Sequence, residues 1–220
     1  MDYVRRKTSV PAVLVIALLA LGLSGFSYAH WTDQLNVQGT INTGNICAEY
    51  SPPIAVGDLG PDWMYVEGVG IVQVPGAKDV GSTVVGLQNV DGHAKILTVT
   101  INNAYPYYAT SIDFHVHNCG SVPITMYQAI FDPEASPGVK VNQTITHTGV
   151  VYLDLNGDGQ QDVMILWSGI FGNQIDPCFA YMQDMSFIVV VLQPAPQGAH
   201  LTFLVELDFM NWNEYVPPPP

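Results

Sequence analysis

SGFSYAHWTDQLNVQGTINTGN, residues 24–45, joins an apolar leader to a run that alternates strictly. From Trp31 to Ile41 the odd positions read Trp31, Asp33, Leu35, Val37, Gly39 and Ile41, while Thr32, Gln34, Asn36, Gln38 and Thr40 are all polar. A period of two is the mark of a strand with one buried face. At ~3.3 Å per residue the run spans roughly 36 Å, about twice a common strand. A strand of that length needs a long groove. It is either an edge strand of the chain's own sandwich or a strand that completes the sheet of a neighbouring copy, a known recognition mode.

Working outward toward the N-terminus, residues 1–29 have the layout of a secretory signal. Arg5, Arg6 and Lys7 form a basic cluster, Val10 to Leu23 is an apolar run, and Ser27 and Ala29 are small residues before a cleavage point placed after Ala29. The alternative is an uncleaved anchor, since Val10 to Phe26 falls just under bilayer length. Both place the remaining chain outside the cytoplasm, extracellular or on the cell surface. The membrane is then a partner only before cleavage.

The expected organisation is a signal (1–29), an N-terminal donor strand (30–45), a β-sandwich domain (46–215) and a Pro-rich tail (216–220). The whole chain has 220 residues, of which 48% are hydrophobic and 11% charged, with 20 Gly and 16 Pro. Low charge and abundant turn residues fit an all-β domain better than a helical one. Beyond residue 29 there are eighteen acids against Lys78, Lys95 and Lys140, a net charge of -15. That field repels nucleic acid and anionic membranes and attracts divalent cations.

Toward the C-terminus, Ile46 to Tyr50 is an apolar segment stopped by Pro52 and Pro53, and loop-like sequence follows to Gly68 with Trp63 and Tyr65 as anchors. Strand-like runs recur at 71–74, 83–90, 96–102, 111–117, 123–130, 150–155, 163–167, 186–192 and 201–209. Phe187 to Leu192 is apolar without alternation, so both its faces are expected to be covered. Leu201, Phe203, Val205, Leu207 and Phe209 share one face of the last strand. Pro217 to Pro220 reads as a short polyproline tail. Among Cys47, Cys119 and Cys178 three pairings are open in an oxidising compartment. Cys47 ends the leading strand and is expected to stay unpaired, which leaves Cys119 with Cys178.

SGFSYAHWTDQL followed by GTINTGNI resembles the junction of exported proteins processed by a SipW-type signal peptidase, the TasA and camelysin family. NNAYPYYATSIDFHVHNCGSVPI, residues 102–124, resembles the same family's strand, tight loop, strand and Asn-x-Gly-Ser-x-Pro pattern. Together they look most like the archaeal bundling-pilus relatives, over about a third of the chain. The resemblance implies a jelly-roll-like β-sandwich with an extended donor strand, polymerising with identical subunits into extracellular filaments that bundle laterally in biofilms. The donated face would be Trp31, Leu35, Val37 and Ile41, with Gly39 where backbones approach closely. Residues 52–81 and the acidic loop at Asp154 do not match that pattern.

Asp154-Leu155-Asn156-Gly157-Asp158-Gly159-Gln160-Gln161-Asp162 lies between VVYL and VMIL. Oxygen side chains at positions 1, 3, 5 and 9, with Gly159 at position 6 and the Gln160 carbonyl at position 7, suit calcium, which takes six to eight hard oxygens. Position 12 is Ile165 rather than the Glu of a helical calcium loop, so the strand-flanked version fits better. An ion-free turn is the alternative, because Asn156-Gly157 and Asp158-Gly159 are favoured hairpin pairs. Three carboxylates in nine residues favour the ion.

Asp113, His115 and His117 share one strand face, and two His at i and i+2 could hold zinc or copper, although such a face is more often merely solvated. His30, His93, His147 and His200 carry no pattern. Asn142-Gln143-Thr144 is a glycosylation sequon. Enzymatic signals are absent from the sequence: it has no HExxH and no Gly-x-Ser-x-Gly. The expectation is therefore a non-enzymatic structural subunit, set against a monomeric calcium-binding surface module and a camelysin-like secreted metalloprotease.

Overall fold

A computed structural model describes residues 10–28 and 43–217, apart from 59, 77, 134–142 and 179–181. The expected donor strand with Trp31, Leu35, Val37, Gly39 and Ile41, the sequon Asn142, and Pro218 to Pro220 lie outside the described residues. Two compact units are distinguished, Met1–Asn42 and Thr43–Pro220. In the first, helix α1 (Val10–Tyr28) occupies the apolar leader. Pro11 falls in its first turn, where a missing N–H costs nothing. Its 19 residues span roughly 28 Å at ~1.5 Å each, and among the described residues no helix is long and apolar enough to cross a membrane.

The second unit is an all-β sandwich of two antiparallel sheets. Its strands are β1 (Ala48–Val56), β2 (Trp63–Val66), β3 (Gly70–Gln73), β4 (Ser82–Val90), β5 (His93–Ala104), β6 (Tyr108–Asn118), β7 (Ile124–Pro133), β8 (Gln143–Ile145), β9 (Gly149–Leu153), β10 (Val163–Trp167), β11 (Gln183–Val191) and β12 (Ala199–Asn211). One sheet runs β3-β2-β6-β11-β10-β9, with β1 also paired to β6; the other runs β4-β5-β12-β7-β8. The β4–β5 hairpin closes through Asp91-Gly92, both with positive φ, as a two-residue turn matched to strand twist requires.

Alternation explains the core. Ile112, Phe114 and Val116 of β6 point inward, as do Leu201, Phe203 and Val205 of β12. Phe131, Trp167 and Phe187 fill the centre, with Trp167 and Phe187 stacked at 5.7 Å and Phe131 edge-on to Trp167 at 5.7 Å. Truncating any of these aromatics to Ala would cost about 3–5 kcal/mol. The Tyr50 hydroxyl reaches across the sandwich to donate to the Val205 carbonyl at 2.9 Å.

Phe187 to Leu192 is covered on both faces as expected. Phe187, Val189 and Val191 enter the main core, while Val190 joins Ala109 and Met164 in a smaller outer cluster, packed by Tyr65, Ile71 and Ile188. Tyr65 therefore anchors that cluster, whereas Trp63 is 39% exposed.

Three expectations need correction. Pro52 and Pro53 do not stop the segment begun at Ile46: β1 continues to Val56, with its register shift between Ser51 and Ala55. Two residues without N–H groups are tolerated where pairing is already interrupted. The 53–68 stretch is not all loop, because Trp63–Val66 pairs with Gly70–Gln73 in a short hairpin. Finally, Cys47 pairs with Cys119, and Cys178 is free and exposed. Cys47 does not travel with the leading strand. It precedes β1, whose register sets Ala48 opposite Asn118 and brings the two cysteine Cα atoms to 4.9 Å.

Candidate functional site

Among the described residues β4 pairs only with β5, and STVVGLQNV contains no charge and no proline. Natural edge strands are commonly protected by Lys, Pro or bulges against further pairing. Here the register stays regular from Ser82 to Gln88 and shifts only after it. Inner-face burial falls across this edge: Leu97, Val99 and Ile101 of β5 are fully buried, while Val85 and Leu87 of β4 are only half-buried. Outward, Val84 is 56% exposed.

The head of this edge is met by side chains. Asp58 Oδ2 accepts the Thr83 N–H at 2.5 Å, so Thr83 points its backbone away from β5. By antiparallel alternation the N–H and C=O groups of Val85 and Leu87 point the same way. Asp58 Oδ1 also accepts from the Tyr108 hydroxyl at 2.7 Å, and buried Asp62 accepts from Val80 N–H, Gly81 N–H and the Tyr105 hydroxyl at 2.8, 3.1 and 3.0 Å. Burial, reinforced by the neighbouring aspartates, pushes both tyrosine hydroxyls well up, which keeps them as donors. The chain before β4 is thereby pinned.

Other edges are shorter or broken. β3 has four residues, β8 three and β9 five, and β1 carries Pro52 and Pro53. Residues 45–47 lie beside the β6–β7 turn: Ser121 N–H donates to the Asn45 carbonyl at 2.9 Å, and Cys119 N–H to the Cys47 carbonyl at 3.0 Å. A Cβ on Gly120 would lie 2.3 Å from the Asn45 oxygen, so only glycine lets the two segments pass this closely.

The acidic loop is bent by left-handed Gly157 and Gly159 (φ 79 and 86). Asp162, fully buried, accepts from Leu155 N–H (2.7 Å), Asn156 N–H (3.0 Å) and the Asn156 amide (3.1 Å). Asp154 accepts from Gly157 and Gly159 N–H at 2.6 and 2.7 Å. Asp158 is exposed and accepts from Gln160 N–H at 2.8 Å. The loop thus gathers Asp154, Asn156, Asp158, Gln160 and Asp162. Among the described residues, however, the carboxylates of Asp154, Asp158 and Asp162 do not all come within 4.8 Å of one another. Burial pushes the Asp162 carboxyl up against the opposing pull of its two backbone donors, and the charges of Asp154 and Asp158 add to the rise.

A third cluster joins β1, β5 and β6. Glu49 accepts from His93 Nδ1 at 2.8 Å and lies 3.1 Å from His117 Nδ1. Burial raises the Glu49 carboxyl, but the two imidazoles outweigh it and hold the group below its ordinary value. Lys95 donates to the Ala48 carbonyl and stands 3.8 Å from Cys47 Sγ. Burial pulls its ammonium down, against the attraction of Glu49 and Asp91. A ring nitrogen of His93 and both sulfurs of the Cys47–Cys119 pair lie within 4.8 Å of one another.

The Asp113, His115 and His117 face does not act as one constellation. His115 bonds Asp184 across β11 at 2.6 Å, while His117 turns to Glu49 of β1. Each imidazole meets the carboxylate directly opposite in its own ladder. Glu49, His93 and Lys95 were missed, because their partners stand 44 to 68 positions away. Against known proteins, the chain matches no family model, no curated protein and no solved structure.

Proposed function

We propose that this chain is a structural subunit of an extracellular filament, without enzymatic activity, in which residues 31–41 of one copy add as a strand to the β4 edge of the next. The observation that carries the reading is that edge: nine residues without charge or proline, with Val85 and Leu87 half-buried on the core side. A strand laid beside β4 would take the outward N–H and C=O groups of Val85 and Leu87 and cover both side chains with Leu35, Val37 or Ile41. The jelly-roll reading of the sandwich belongs to the same proposal.

Because the donor leaves its own subunit, the contact is head-to-tail, and such contacts give filaments when the rotation does not close. Burying four apolar donor side chains is worth ~6–12 kcal/mol at ~1.5–3 kcal/mol each. Ordering the strand offsets much of that. Burial lifts Asp162 most; calcium in the Asp154–Asp162 loop would relieve the repulsion from Asp154 and Asp158 that adds to that rise, and would stiffen the β9–β10 hairpin.

The test uses the body alone, residues 43–220, which form one compact unit. A synthetic peptide of residues 30–42 at ~100 times its Kd should stabilise the body by about 2.7 kcal/mol, roughly 5–10 °C in Tm for a domain of this size. No shift at any peptide concentration contradicts the proposal. The compactness of residues 43–220 on their own is also what favours the second reading, a monomeric surface module binding calcium.

A further inference from the structure

We propose that the Cys47–Cys119 disulfide masks a zinc site: once it is reduced, the two thiolates and His93 close on one Zn²⁺, with Glu49 bracing the imidazole. The three donors already lie within 4.8 Å of one another. Around a single tetrahedral zinc, with bonds of ~2.3 Å to sulfur and ~2.0 Å to nitrogen, donor atoms stand roughly 3.5–3.8 Å apart. Opening the sulfur–sulfur bond and turning His93 so that Nε2 faces the two sulfurs would bring the donors to that spacing.

The surroundings are those of a metal site rather than of a disulfide alone. The Glu49 carboxylate accepts the proton of His93 Nδ1 at 2.8 Å, which leaves the lone pair on Nε2. A ligating imidazole almost always donates its other N–H to a carboxylate, backbone carbonyl or water, which fixes tautomer and ring direction. His117, beside the same carboxylate, and Lys95, 3.8 Å from Cys47 Sγ, complete the polar shell. A hollow of about 340 Å³ beside Cys47, lined by Ile46, Ala48, Lys95 and Leu207, gives an ion and a reductant access. Water fills the fourth position.

Two thiols of a reductant supply two electrons and two protons, leave as their own disulfide, and convert Cys47 and Cys119 to thiols. Zinc then displaces both thiol protons to solvent. A disulfide of the same thiol class reverses the exchange: it takes the two electrons of the thiolates, picks up two protons to leave as two thiols, and the ion is released as the Cys47–Cys119 bond re-forms. The corner where β1 meets β6 is held in either state, by metal before oxidation and by the disulfide after it.

The experiment uses the full chain in mild detergent, reduced with a phosphine and freed of it under argon. Bound zinc is counted with a colorimetric chelator, and Co²⁺ reports thiolate ligation by its charge-transfer band. The reduced chain should hold one zinc that the oxidised chain does not. His93→Ala should weaken it at least ~10-fold and Glu49→Gln about 10- to 100-fold, the usual range for a lost bracing carboxylate. Cys178→Ser, at the exposed free thiol, should leave it unchanged. Equal zinc affinity in reduced His93→Ala and wild type, or equal binding by the oxidised chain, overturns the proposal. Near-UV circular dichroism guards against binding by unfolded thiols: a reduced chain that zinc fails to return to the folded spectrum overturns it as well.

Discussion

Replacing Val85 by proline would strike the β4 edge while leaving the sandwich intact. The Val85 N–H points away from β5, on the same side as the Thr83 N–H that Asp58 accepts. Proline there removes no bond of the β4–β5 ladder, and its ring roughly replaces the volume of the half-buried valine. What it removes is one donor to an incoming strand, worth ~0.5–1.5 kcal/mol, and its ring displaces the neighbouring carbonyl, which brings the loss per contact to about 2 kcal/mol. Every contact in a head-to-tail polymer is the same, so the critical concentration should rise roughly 30-fold. Sedimentation of filaments against total protein reads that directly, with thermal melting of the body as the control. Val84→Pro provides the contrast, because Val84 faces β5 in the alternation: it should lower the melting temperature of the body itself. If Val85→Pro assembles at the wild-type critical concentration, the donor does not lie along β4.

Other outcomes follow from the loop and the corner. The raised carboxyl of Asp162 makes the ion-free fold lose stability as pH rises from the ordinary aspartate range through the raised value, since the protonated form is favoured in the fold. Saturating calcium should remove that slope in melting experiments, and Asp158→Ala should melt identically in calcium and in chelator. Glu49 behaves oppositely: its lowered carboxyl contributes stability above the ordinary value that is lost as pH falls through the lowered one. Cys47→Ser opens a loop of 72 residues and should cost about 4 kcal/mol in the chain-entropy account, whereas Cys178→Ser should leave the melting temperature of the body unmoved.

Most of the sandwich could be read from alternation alone. β12 shows it most plainly, with Leu201, Phe203 and Val205 inward and Thr202 and Glu206 outward. Where apolar and polar residues do not alternate, the reading needed length and context, as for β11, and it failed for β2, whose four residues sit among glycines and prolines. Pro52 and Pro53 misled for a physical reason. A proline pair ends a regular ladder but not a strand that is already bulged there.

The acidic loop was legible because its oxygens are local, within nine residues. The Cys47, Glu49, His93, His117 and Cys119 corner was not, because only the register of β1 on β6 and the approach of β5 bring those residues together. No sequence spacing encodes that meeting.

Negative-stain electron microscopy of residues 30–220 tests the central claim most directly, in calcium, after chelation, and beside the body lacking 30–42. Uniform thin fibres from the longer chain and dispersed particles from the shorter one are the predicted result, with thinning or loss of fibres on chelation if the Asp154 loop supports assembly. Dispersed particles from both chains, or fibres from both, would contradict strand donation by residues 31–41.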